Sequence, residues 1–403
     1  MRAKIRLEHD LVAVEGEHDV HAMLEISVPE PEVDRPRAPL ALALVIDRSG
    51  SMGGEKLAYA KRSAEWLAGR LHADDRLALV DYDGEVRLLA PLAPVGAGLT
   101  HALRAIQAGG QTNLSGGWLK GLEQLRGAQG TRKILLLTDG LANVGITDTP
   151  TLVRLAGRAG SEGVGTTTIG FGRGFNEDLL TAMADAAGGN AHYAESADAA
   201  PGIFAEEFDD LTRLAAQNVS VEIRPAAAVE MLGVLNEYPQ VVVPGGVQIS
   251  VGDAYAGEQR RIVFTLHVPA LSALGVESIA EVVLRYVSVG EAVEQHELTI
   301  PIVINRVSAD EAAGRQPDLQ VREEVLVLTA ARARDEAIRL ADAGLLLEGR
   351  ELLLNTAQTL RASGLPLQAD MLAREAPTLD AYDPTVRKRL RYQSQRQRRG
   401  KQI

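Results

Sequence analysis

From Pro39 to about Ala216 the chain alternates short apolar runs with segments of helical spacing, and this alternation restricts the fold more than any other feature. The runs are Pro39 to Ile46, Arg76 to Tyr82, Val86 to Ala90, Lys133 to Thr138, Thr166 to Phe171 and Ala191 to Ala194. Leu57, Ala60, Ala64, Leu67 and Leu71 recur on one helical face over Glu55 to Leu71. Further helical patterns lie near Leu99 to Gln107, Gly116 to Leu125, Thr151 to Ala159, Glu177 to Ala187 and Pro201 to Ala215. Repeated strand–helix units require a largely parallel sheet covered on both faces. Such sheets bind ligands beyond the carboxyl ends of their strands, where the strand order reverses.

The flanks follow other patterns. Lys4 to Glu8, Leu11 to Val14 and His18 to Val28 read as strands, the last with Val20, Ala22, Leu24, Ile26 and Val28 on one face. A linker rich in Pro and charge, Pro29 to Pro39, follows. Strand patterns return at Asn218 to Arg224, Val247 to Val251, Gln259 to Val268, Ile279 to Val289 and Glu294 to Ile304. Because a few strands alone are marginal in water, the N-terminal ones are expected to complete this second β region. After Asn305, Leu319 to Asp342 and Leu345 to Ala362 read as two long helices, with shorter ones near Leu367 to Arg374 and Pro384 to Arg396. The expected architecture is multidomain α/β. A Rossmann-like doubly wound domain (39–216) is inserted in a β-sandwich (1–38 with 217–306), and a helical domain with a basic tail (307–403) follows.

Composition removes several function classes. With no cysteine, thiolate metal sites and thiol nucleophiles are excluded. A net charge of -12 argues against a nucleic-acid-binding protein. No apolar run approaches the roughly 18 residues of a membrane span. Met1 to Arg6 leads into Glu8, His9 and Asp10 rather than an apolar core, so a cytoplasmic protein is expected. The crowded Arg, Lys and Gln of Arg387 to Lys401 read as a frayed, solvated tail, with a docking site for something acidic as the alternative.

The first apolar run of the alternating region ends in Asp47-Arg48-Ser49-Gly50-Ser51-Met52. Two further segments place oxygen donors at element ends. One is the loop Gly109-Gly110-Gln111-Thr112-Asn113-Leu114, and the other is the strand end Leu135-Leu136-Leu137-Thr138-Asp139-Gly140. Either Asp-x-Ser-x-Ser or Thr-Asp-Gly alone is a turn signal. Together they offer hydroxyls and carboxylates without His or Cys, which suits Mg²⁺ or Mn²⁺, with Ca²⁺ also admissible.

Asp47-x-Ser49-x-Ser51, Thr112 and Asp139 resemble, residue by residue, the metal-ion-dependent adhesion site of von Willebrand factor type A domains. Gly117-Trp118 and the stretch Gly140 to Gly145 are similar to bacterial members named after calcium-activated chloride channels, although a chain without a spanning segment is not by itself a channel. The resemblance implies that Ser49, Ser51 and Thr112 bind the ion through their hydroxyls and that Asp47 and Asp139 bind directly or through water. It also implies that an Asp or Glu carboxylate of a partner protein completes the shell, with movement of the domain's last helix. Asn113 and Asn143 are expected to shape the loops or rim the site, and Arg48 to point to solvent.

Catalytic signals are weak. His18-x-x-His21 falls in a strand pattern where the two rings face opposite sides. Gly170 to Gly174 reads as a tight turn before a helix capped near Asn176. The leading expectation is a non-enzymatic, divalent-cation-dependent protein-binding module. The alternatives are a metal-dependent hydrolase with Asp47 or Asp139 as base and a structural subunit whose metal stabilises loops.

Overall fold

Three strands open the chain, β1 (Arg2–Leu7), β2 (Leu11–Ala13) and β3 (His18–Ser27). The computed structural model describes residues 1–30, 37–172, 174–270, 273–289, 294–399 and 401–402, so the middle of the expected linker lies outside the described residues. The alternating region then runs β4 (Leu40–Asp47), α1 (Glu55–Ala68), β5 (Arg76–Tyr82), β6 (Val86–Pro94), α2 (Ala97–Ala105), α3 (Leu114–Leu125), β7 (Thr131–Thr138), α4 (Thr149–Ser161), β8 (Val164–Phe171), α5 (Glu177–Ala186), β9 (Ala191–Ala194) and α6 (Ala200–Thr212).

These strands form one six-stranded sheet in the order β6-β5-β4-β7-β8-β9. All its pairs are parallel except β5 with β6, so the edge strand β6 departs from the parallel pattern. The charge-free run of β4 is explained by its central place. Leu40, Leu42, Leu44 and Ile46 enter the core under α1 and α6, whereas Ala41, Ala43 and Val45 enter the core under α3. The chain moves from β4 to β5 on one side and returns to β7 on the other. The strand order therefore reverses between β4 and β7.

A single residue, Arg213, separates α6 from β10 (Leu214–Pro225). The chain continues through β11 (Glu230–Val234), β12 (Gln240–Val243), β13 (Gly246–Tyr255), β14 (Gln259–Val268), β15 (Gly275–Ser288) and β16 (Glu294–Val307). Two sheets result, one ordered β1-β3-β14-β11 and the other β12-β13-β10-β15-β16-β2. The N-terminal strands join both: β3 pairs antiparallel with β14 along its whole length, and β2 pairs with the end of β16. Leu24 and Ile26 share one hydrophobic cluster with Ile249, Leu284 and Ile302.

Four helices of the C-terminal region, α8 (Leu319–Asp342), α9 (Leu346–Ala362), α10 (Pro366–Glu375) and α11 (Pro384–Arg398), follow the short α7 (Ala309–Ala313). A two-residue strand, β17 (Lys401–Gln402), then pairs with β14. On the outer face of the β3–β14 sheet, Met23 and Val263 pack against Val321 and Leu328 of α8. Among the described residues no helix is long and apolar enough to cross a membrane.

The basic stretch is not a frayed tail. It is α11, with Lys388, Ser394 and Arg398 buried, wedged between α5 and α8. Arg387 bonds Glu177 and Asp178, and Arg391 bridges Asp178 at 3.2 Å and Asp335 at 3.1 Å. Lys388 donates to the Phe175 carbonyl at 2.7 Å and to Glu177, and its ammonium lies 4.1 Å from the Phe175 ring centroid. The acidic counterpart of this stretch is the chain's own α5.

Candidate metal centre

The three segments meet at the carboxyl ends of β4 and β7, where the strand order reverses. Asp47 ends β4 fully buried. Its carboxylate accepts from the Ser49 amide at 2.7 Å and from the Thr138 hydroxyl at 2.6 Å. Burial pushes the Asp47 carboxyl up to about 6, against the pull of these Thr138 and Ser49 bonds. The loop beyond it turns the Ser49 and Ser51 hydroxyls toward each other, 3.3 Å apart. Ser51 is exposed and donates to Asp139 Oδ1 at 2.7 Å.

Thr112 arrives from the other side. Its amide donates to Asn143 Oδ1 at 2.9 Å, and its carbonyl accepts from the Asn143 and Val144 amides. A Cβ built on Gly140 would lie 3.1 Å from Thr112 Oγ1 and 3.8 Å from Ser51 Oγ, so both hydroxyls border one point beside Gly140, the residue that follows Asp139. Asn113 caps α3, accepting from the Gly116 amide at 2.9 Å, which fixes where the helix begins after Thr112. Asn143 and Asn113 thus shape the loops, as expected of them.

The loops are fastened to each other. The Gly109 amide donates to the Arg48 carbonyl at 2.8 Å, and the Gly50 amide donates to Gly110 at 3.2 Å. Gly110 holds φ +75, and a Cβ there would stand 2.6 Å from Asp83 Oδ2, so only glycine fits this approach. Arg48 does not point to solvent. Its guanidinium lies over the end of β5, 2.6 Å from Asp83 and 3.4 Å from Asp81, and is largely buried. Asp81 also holds Arg87, so two carboxylates and two guanidinium groups balance beside the site.

Three contributors escaped sequence reasoning. Thr138 orients Asp47, Arg48 ties the two loops to β5, and Lys56 bonds Asp139 Oδ2. The last had one legible signal, a cation in the first turn of a helix, where the dipole opposes it. The other expectations are simpler. His18 bonds the Ala13 carbonyl and His21 pairs with Thr265, two separate structural contacts. Gly170 lies within β8 rather than in the turn, Gly172 at φ +66 turns the chain out of the strand, Arg173 lies outside the described residues, and Asn176 caps α5.

The donor set fits a hard cation. Hydroxyl and carboxylate oxygens from three element ends face one point, and among the described residues no group of three or more His, Asp or Glu gathers as an alternative site. Ser49, Ser51 and Thr112 would hold such an ion, with Asp47 and Asp139 behind them. It would supply an electrophilic centre for a carboxylate.

Residues 41–206 match the family model of the von Willebrand factor type A domain. Protein sll0103 of Synechocystis is 27% identical over 73% of this chain and 72% of its own length. Protein YfbK of Escherichia coli is 29% identical over 56% of this chain, which spans only 41% of that relative. The solved von Willebrand factor type A structure from Catenulispora acidiphila shares the fold at 17% identity. It superposes with a TM-score of 0.73 over 92% of this chain and 88% of its own.

Proposed function

We propose that this chain, in which residues 41–206 form a von Willebrand factor type A domain, is a divalent-cation-dependent protein-binding module. Domains of this family generally mediate protein interactions and adhesion. In this reading Ser49, Ser51, Thr112, Asp47 and Asp139 hold Mg²⁺ or Mn²⁺, and an Asp or Glu side chain of a partner protein binds the ion. The observation that carries the reading is the convergence of Ser51, Thr112 and Asp139 on one point at the sheet's switch point. The fastening of the loops by their own backbone bonds argues against a metal kept only to stabilise them. We read the site as a binding centre rather than a catalytic one.

The two largely antiparallel sheets are read as a discontinuous β-sandwich (1–38 with 217–306) carrying the inserted domain (39–216), with 307–403 as a helical domain. With Arg213 alone between α6 and β10, movement of α6 is transmitted directly to the sandwich. Calorimetric titration with Mg²⁺ and Mn²⁺ tests the core of the proposal. The wild type should bind one ion. Asp47→Ala and Asp139→Ala should lose it while circular dichroism stays unchanged, since both residues lie at the ends of their strands. Undiminished binding in both variants would remove the assignment. Affinity purification in Mg²⁺ followed by chelator elution should release the partner, and release without chelator dependence would count against ion-mediated capture.

A further inference from the structure

Lys56 occupies a place that helix energetics do not explain. It sits in the first turn of α1, whose N-cap is Gly54 with no side-chain cap, and a cation there opposes the helix dipole. Its compensation lies across the site. The ammonium pairs with Asp139 Oδ2 and donates to the Ser51 carbonyl at 3.3 Å, while Ser51 Oγ holds Asp139 Oδ1. The Asp139 side chain is fully buried and that of Lys56 is 34% exposed, so the lysine reaches in from the rim to neutralise an interior carboxylate. Room for it comes from the turn after β8. A Cβ built on Gly172 would lie 3.5 Å from Lys56 Cε and 3.7 Å from Nζ.

Charge accounting shows what this does. Arg48 and Arg87 are balanced by Asp81 and Asp83, which leaves Asp47, Asp139 and Lys56 to set the charge of the centre. Two carboxylates alone would neutralise a divalent ion. With Lys56 present, the same ion leaves the centre with a net positive charge.

We propose that Lys56 is a tethered competitor for the divalent ion at Asp139, which weakens ion binding and leaves the loaded site positively charged toward an incoming carboxylate. The proposal rests on the metal-site reading above and concerns how that site is tuned. Lys56 trades ion affinity for anion capture, and it holds Asp139 paired when no ion is present. Because the ammonium is partly hydrated, its effect on the ion is screened relative to a buried charge.

Isothermal titration of the full chain with MgCl₂ and MnCl₂ tests this, using Lys56→Met and Lys56→Arg, with Lys56→Gln if the methionine variant does not fold. Lys56→Met should bind either ion about 10- to 100-fold more tightly. Lys56→Arg should stay within about threefold of wild type, since the charge is kept. In chelator, Lys56→Met should melt below wild type because Asp139 loses its partner, and the gap should narrow in saturating Mg²⁺. Equal affinity for wild type and Lys56→Met overturns the proposal while leaving the metal site intact. Weaker binding by Lys56→Met also overturns it, making the lysine a support for the site. If no chain binds either ion, whereas circular dichroism reports a native fold, the metal-site reading falls and the proposal with it.

Discussion

At the scale of single residues, the most consequential group away from the candidate site is Lys133 of β7. It is buried, with Nζ 3.0 Å from the Tyr255 hydroxyl, 3.5 Å from Glu207 of α6 and 3.6 Å from Asp253 of β13. The two carboxylates respond in opposite directions. Burial raises both, but Glu207 is carried below its usual range by Lys133 and by bonds from His192 and Thr167. Asp253 Oδ2, without a hydrogen bond from a described residue, stays raised. Glu207→Gln should therefore cost about 2–4 kcal/mol in urea melts at pH 7, because it strips a buried ammonium of its nearest carboxylate. Asp253→Asn should cost under about 1 kcal/mol. The pH sign follows from the depressed Glu207: its stabilisation is complete above its unfolded value near 4.5 and is lost as pH falls toward and through the folded value. Asp75, pulled down by Arg37 and the Leu40 and His72 amides against burial, acts in the same direction. Wild type should lose stability below about pH 4.5, and Glu207→Gln should show a shallower acid limb.

At the scale of elements, α3 positions Thr112 by lying unusually close to the sheet. A Cβ on Gly117 would meet Tyr82 Cδ1 at 2.3 Å, and one on Gly121 would meet Val45 Cγ2 at 2.7 Å. Gly117→Ala should push the helix outward, costing about 2–4 kcal/mol in denaturant melts and weakening Mn²⁺ binding through the displaced Thr112. Gly98 in α2 is a contrasting control with open space around it, and Gly98→Ala should add about 0.5–1 kcal/mol. Elements of this region were legible because long uniform runs and helical stripes reflect burial on both sides of one sheet. The short edge strands β11 and β12 were not. β12 exposes Val241 and Val242, the latter 84% accessible, so no buried face imposes alternation on it, and Gly233 interrupts β11. The oxygen donors of the site were legible because their residue types are the chemistry. The role of Arg48 was not, and that of Lys56 showed only in its unfavourable place in a helix's first turn, because both depend on carboxylates that only the folded sheet brings near.

At the scale of the whole molecule, α11 joins parts that the sequence holds far apart. Its basic face meets Asp178, Asp185 and Glu177 of one region and Asp335 of α8, and Tyr392 stacks on Tyr193 at 5.8 Å. Charge runs read from sequence default to solvent exposure because the compensating acids lie elsewhere in the chain, 209 and 210 residues before Arg387 in α5 and 56 before Arg391 in α8. Lys388→Met should leave Glu177 with Arg387 as its remaining cation and cost about 1–3 kcal/mol. Removal of 384–402 should split one cooperative unfolding transition into two, seen by tryptophan fluorescence and circular dichroism at different denaturant concentrations.

The pairing of β3 with β14 also has a consequence for biosynthesis. β3 ends at Ser27, but its partner begins at Gln259. On a ribosome adding about 5–20 residues per second, β3 waits on the order of tens of seconds with an unpaired edge. The central six-stranded sheet, whose strands are all made within that interval, can close first. Nascent chains stalled before residue 259 should therefore show protease cleavage confined to the N-terminal strands, and equal cleavage within β4 to β9 would mean that the sheet also waits.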